Sequence, residues 1–109
     1  MTTIVTGLVI ENVTASSGTG TPIPRVSNHM IVLADVNVGN NAVELPAAAE
    51  IGDIVEYFHH TDDGVQATSD VYPPGSETID FRSPGSAFTG LGRSGGRKFV
   101  KTDATRWRS

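Results

Sequence analysis

His59-His60-Thr61-Asp62-Asp63 places four metal-ligating side chains within five residues, the densest such group in the chain. Imidazole nitrogens and carboxylate oxygens together suit zinc and related divalent ions. In an extended segment, however, adjacent side chains point to opposite faces, so His59 and His60 ligate together only if the backbone bends there. Asp62-Asp63-Gly64 is also fully explained as a turn. No resident metal is expected, and a cation held between copies of the chain on a symmetry axis is the form such a site would take. Gly90-Leu91-Gly92-Arg93-Ser94-Gly95 formally satisfies the dinucleotide fingerprint G-x-G-x-x-G. That motif works only where a strand delivers the glycines to a helix whose N-terminus faces a pyrophosphate, and only fourteen residues follow Gly95. The segment is read as a hairpin loop and no cofactor is expected. Nucleophilic catalysis would require a base, an orienting partner and a nucleophile in a cleft. The serines fall in Ser/Gly/Thr turns, and His29, His59 and His60 are the histidines available. No catalytic residue is assigned and the chain is not expected to be an enzyme.

Charge is distributed more unevenly than the net value of −4 suggests. Through Asp80 a single basic residue, Arg25, stands against eleven acids, a balance of −10. From Phe81 onward Arg82, Arg93, Arg97, Lys98, Lys101, Arg106 and Arg108 face only Asp103, a balance of +6. A basic segment carrying Phe99 and Trp107 can grip phosphates, but the acidic remainder would repel a polyanion from most directions. Docking onto an acidic protein surface, a neighbouring copy's or a larger partner's, is the reading preferred over nucleic acid. Arg93, Arg97, Lys98, Lys101, Arg106 and Arg108 are the expected docking face.

The elements that must position these residues are short. The 109-residue chain has room for one domain, contains no cysteine, and is rich in Gly, Ser, Thr and Val, a sheet-and-turn composition. Neither a signal peptide nor a membrane-spanning run is read in it, and no membrane partner is expected. Ile4 to Ile10 reads as a strand, followed by a mobile Ser/Thr/Gly connection in which Pro22 and Pro24 force extended backbone around Ile23. Residues 1–29 are thus expected to form an extended arm or a strand plus flexible connection, with Ile4, Val5, Leu8, Val9, Ile10, Pro22, Ile23 and Pro24 as its gripping residues. Residues 30–109 are expected to form a compact antiparallel β domain. Within it Met30–Val36 reads as a strand buried on both sides, and Ala47–Glu50 supports one helical turn at most. Glu77–Arg82 alternates with period two, which puts Ile79 and Phe81 on one face. Short strands at roughly ten-residue spacing argue for an all-β fold, a small antiparallel sandwich or barrel, without helical crossovers.

Val43-Glu44-Leu45-Pro46-Ala47-Ala48, Gly52-Asp53-Ile54-Val55, Val71-Tyr72-Pro73-Pro74-Gly75-Ser76-Glu77-Thr78-Ile79, Gly96-Arg97-Lys98-Phe99-Val100 and Thr105-Arg106-Trp107 follow one another in order. This succession resembles small β-rich bacteriophage virion proteins, the head-decoration and fibre-type modules. The resemblance spans about residues 43–108. It implies a compact β domain, commonly a homotrimer, that binds major capsid protein on the outside of a head, or sits at a tail or fibre as a receptor- or carbohydrate-binding domain. It further implies production in the host cytoplasm, residence on the virion surface and no catalysis. Physically, Pro46 and Gly52 bracket a turn, Tyr72 offers an apolar ring with a polar tip, Pro73-Pro74-Gly75 stiffens a corner, and Trp107 brings the largest apolar surface to the last strand.

Overall fold

A computed structural model describes residues 5–61, 67–92 and 96–109. Ten strands follow in order: β1 (Val5–Thr14), β2 (Thr21–Pro22), β3 (Ser27–Val36), β4 (Ala42–Glu44), β5 (Ile54–Thr61), β6 (Ser69–Tyr72), β7 (Thr78–Ile79), β8 (Phe88–Leu91), β9 (Gly96–Asp103) and β10 (Arg106–Arg108). The first nine alternate between two sheets. One sheet has the order β1-β3-β5-β9-β10-β7 and the other β2-β4-β6-β8. The fold is all-β, and the described residues contain no helix.

The expectation of a purely antiparallel domain is corrected. β1 and β3, β3 and β5, β2 and β4, β4 and β6, and β7 and β10 all pair in parallel. Parallel neighbours need a long crossover, usually a helix. Here the crossover is a strand of the opposite sheet: residues 15–26 carry the chain from β1 through β2 to β3, and residues 37–53 carry it through β4 to β5. Three coils, β1/β2, β3/β4 and β5/β6, therefore stack in the manner of a β-solenoid. The stack is closed at one end by antiparallel pairing of β9 with β5, β10 with β9, and β8 with β6.

The core lies between the sheets. Met30, Val32, Ala34 and Val36 of β3, Val55 and Tyr57 of β5, Val43 and Leu45, Val71, Ile79, Phe99 and Trp107 are all buried there. Strand alternation sends Ile31 and Leu33 to the opposite face, so β3 is buried on one side rather than two. Residues 5–29 belong to this body and do not form a separate arm. β1 runs along β3 over its whole length, and Ile23 is 2% exposed inside the core. Pro22 and Pro24 flank it on the surface. Gly20, at φ +90°, brings its backbone so close to Ala42 that any side chain would strike the carbonyl carbon of that residue. Ala47–Ala48 form a hydrogen-bonded turn instead of a helix, with Ala49 N–H donating to the Pro46 carbonyl.

Candidate functional site

Three polar clusters lie within or against the core. Tyr57 and His59, two residues apart on β5, both point inward, and Ser69 of β6 meets them from the other sheet. The Tyr57 hydroxyl donates to Ser69 Oγ at 2.9 Å, and Ser69 Oγ lies 2.6 Å from His59 Nδ1. With Tyr57 donating to Ser69, the serine hydroxyl is free to donate onward to Nδ1, which leaves the proton of a neutral imidazole on Nε2. That nitrogen is buried without a hydrogen-bond partner among the described residues. Burial pushes the Tyr57 hydroxyl up to about 12 and pulls His59 below its ordinary value. A serine beside a histidine is the constellation of an activated nucleophile. Ser69 is 0% exposed, however, and its oxygen already accepts from tyrosine, so no substrate carbonyl reaches it.

The second cluster explains the Gly52-Asp53 pair. Asp53 accepts from the Glu50 backbone N–H and receives Arg25 through Nε at 2.6 Å and Nη2 at 3.2 Å, while Arg25 Nη1 meets Glu50 at 3.0 Å. The hydrogen bond that Arg25 donates to Asp53, with the charges of Asp53 and Glu50, outweighs burial and raises the Arg25 pKa further. The single cation of the first eighty residues is thus a fork that ties β3's approach segment to the turn before β5. In the third cluster, Glu77 Oε1 accepts from the Trp107 indole N–H at 3.0 Å and from Lys101 Nζ at 3.1 Å, with the ammonium 5.8 Å from the indole ring centre. All three clusters are sealed or structural in geometry.

The structure divides the residues named from sequence. Lys101 is 5% exposed and points to the core beside Trp107, so it leaves the docking face; its strand neighbour Phe99, two residues away, shares that inward side. Arg97, Lys98, Arg106 and Arg108 remain exposed on β9 and β10, and Arg93 lies outside the described residues. His59 and His60 face opposite sides of β5, whereas Asp62 and Asp63 lie outside the described residues, as do Arg93-Ser94-Gly95 of the glycine-rich segment. Pro46, Pro73, Pro74 and Trp107 are buried, Tyr72 is half-buried, and Gly52 and Gly75 turn the chain at φ +96° and +55°. Ile4 lies outside the described residues.

Sequence reasoning named Leu8 and Ile10 as gripping residues of an arm but missed the surface they share with β3 and β5. The outer face of the six-stranded sheet carries Leu8 and Ile10 of β1, Ile31 and Leu33 of β3, and Ile54 and Phe58 of β5 in adjacent register. Leu8 and Ile10 are more than half exposed, and Leu33 and Phe58 are 41% and 42% exposed. The Phe58 ring lies directly over Gly96, filling the space a Cβ would take. A polar pair crosses this face, His29 standing between Leu8 and Ile54 and bound at 2.8 Å to Glu56, which stands beside Ile31 with Lys98 opposite it on β9. At its end Thr14, Asp35, Val36, Asn37 and His60 line an open pocket of about 380 Å³.

Phe81 also departs from expectation. It does not share the face of Ile79 but is 92% exposed, because the strand stops at Ile79 and Asp80 turns at φ +54°. Asp80 is held in that conformation by accepting from the Ser109 N–H and hydroxyl and from Arg82, while its own N–H donates to the Trp107 carbonyl. Burial alone would raise the Asp80 carboxyl, but these hydrogen bonds and the Arg82 and Arg97 charges hold it below its ordinary value. The Arg108 guanidinium sits 5.2 Å from the Phe81 ring centre, and Arg82 and Arg97 lie against Phe88 at 4.4 and 4.8 Å.

Comparison with protein-family models, curated proteins and solved structures returns no match to the chain.

Proposed function

We propose that the chain is a non-catalytic surface module of a bacteriophage particle, a decoration protein that binds the outside of a head lattice and stabilises it. The observation that carries this reading is the apolar outer face of the six-stranded sheet. Leu8, Ile10, Ile31, Leu33 and Phe58 form a continuous surface, and a soluble monomer ordinarily keeps such patches small. Among the described residues β1 is an edge strand beside it, a row of main-chain donors and acceptors that a partner strand can extend. The order of motifs in residues 43–108 supplies the virion context. In this reading the two sheets act as a small sandwich, three copies assemble, the outer face meets capsid protein, and the exposed arginines of β9 and β10 orient the approach.

The test is the thermal resistance of heads lacking a decoration protein, measured with and without this chain. The protein raises the temperature at which they rupture. A double variant, Leu8→Ser with Ile10→Ser, folds normally and fails to do so. Heads that rupture at the same temperature with and without the wild-type chain would remove the reading. The exposed Phe81 beside Arg108 supports a second reading, a receptor-binding tip in which an aromatic platform and a cation meet a glycan, and saturable binding on a glycan array would favour it.

A further inference from the structure

We propose that Phe81 and Arg108 form a binding site for an acidic saccharide, with a sugar ring stacked on the phenyl face and its sulfate, phosphate or carboxylate held by the guanidinium. The inference rests on the glycan-binding reading of the chain and deepens it by naming the class of sugar.

The ring is held out on a fixed base. Phe81 is 92% exposed and follows Asp80, whose φ of +54° ends β7. The Asp80 carboxylate accepts from the Ser109 N–H at 2.8 Å, from the Ser109 hydroxyl and from Arg82 at 3.3 Å. A side chain presented from such a turn has less freedom to lose when a ligand covers it. The Arg108 guanidinium lies over one face of the ring, 5.2 Å from its centre, and the other face is left to solvent. A pyranose turns a set of C–H bonds toward such a surface, matching their partial positive charge to the negative face of the ring.

The cation beside the ring is not neutralised. Arg108 stands opposite Val100 on β9, and among the described residues its guanidinium makes no ion pair. Asp80 is already taken by Ser109 and Arg82. Arg97 donates to Ser109 Oγ at 3.1 Å and adds a further positive charge at this end of the sheet. A guanidinium stacked on an aromatic ring keeps its edge N–H groups for an oxyanion, which they meet in pairs. Arg106 differs, because it stands opposite Asp103 in register.

The number of open rings favours a saccharide over nucleic acid. Single strands are gripped by successive aromatic platforms along a basic groove. Beside Arg108 one ring is open. The next, Phe88, has Arg82 and Arg97 against it at 4.4 and 4.8 Å and meets Phe99 edge-on. Arg108 on β10 also lies four strand spacings from β1, about 19 Å, so the site is separate from the Leu8 and Ile10 contact.

Isothermal titration calorimetry of the full chain compares three ligands: a heparin-derived tetrasaccharide, its neutral form (desulfated, N-acetylated and carboxyl-reduced), and a single-stranded oligodeoxynucleotide of equal charge. Circular dichroism confirms that each variant folds. The acidic tetrasaccharide binds roughly tenfold or more tighter than the neutral one, and Arg108→Gln removes that difference while leaving the neutral affinity unchanged. Phe81→Ala weakens both saccharides, and Arg106→Gln changes neither by more than about twofold. Equal affinity for the two saccharides overturns the proposal and leaves the glycan-binding reading standing, whereas binding of neither overturns both. Tighter binding of the oligodeoxynucleotide overturns the proposal in favour of nucleic acid. An Arg106→Gln loss as large as that of Arg108→Gln also overturns it, by showing attraction to diffuse charge and not to a site.

Discussion

Replacing Glu77 with Ala tests the account of the core most sharply. Glu77 is the shared acceptor of the Trp107 indole and the Lys101 ammonium, whose side chain is only 6% exposed. Its loss leaves a buried cation without a counter-charge and an indole N–H without an acceptor. Breaking a buried pair on one side costs about 3 to 5 kcal/mol. The Glu77 side chain retains 19% exposure, so water enters the vacated space and the lower figure, about 3 kcal/mol, is expected. In a domain of this size that lowers the melting temperature by roughly 12 to 24 °C. Urea denaturation followed by the fluorescence of the chain's single tryptophan measures it directly. Lys101→Met is the control: it removes the buried charge, keeps the stem's packing and leaves the Glu77–Trp107 bond, so it costs less, about 1 to 2 kcal/mol. A Glu77→Ala variant within about 1 kcal/mol of wild type would refute the reasoning, as would a Lys101→Met variant equally damaged.

Four further outcomes follow from the same geometry. His59 has a folded-state pKa below its unfolded value near 6.5, so the unfolded chain binds the proton more tightly and stability falls as pH drops below about 6.5, levelling off beneath the folded value. His59→Gln removes its share of that decline, which urea midpoints at pH 7 and pH 5 compare. Gly20→Ala forces a Cβ to 2.3 Å from the Ala42 carbonyl carbon at φ +90° and costs more than ~3 kcal/mol by chemical denaturation. The nearest atoms to the Cβ of Gly96→Ala belong to the Phe58 ring, which swings outward, so its cost stays near ~1 kcal/mol and vanishes in a Phe58→Ala background. Trp107→Ala empties a fully buried site and costs about 3 to 5 kcal/mol, read as a shift in thermal unfolding by circular dichroism.

Strand positions were legible because β-branched runs and turn residues act locally. Met30–Val36 forms a strand where composition places it, and so does Val5–Ile10 at the start of β1. Pairing was not legible, since the partner of β1 is chosen by the chain's excursion through β2 in the other sheet, and no local pattern records it. Phe81 was misplaced for a related reason. The alternation of Glu77–Arg82 is real in sequence, but long-range hydrogen bonds to Trp107 and Ser109 end the strand at Ile79. Lys101 was assigned to the surface by its charge, although its spacing from Phe99 already put it on the inward face of β9. Arg25 carried a stronger signal, as a lone cation among eleven acids, but which acids it joins depends on β3 and the turn before β5 meeting in space.

The apolar outer face admits a single decisive measurement, co-sedimentation of the protein with expanded phage heads that lack their decoration protein. The account predicts saturable binding at a fixed ratio to capsid subunits, lost when Leu8 and Ile10 are both replaced by serine. Recovery of the folded wild-type protein entirely in the supernatant, at every concentration, would contradict it.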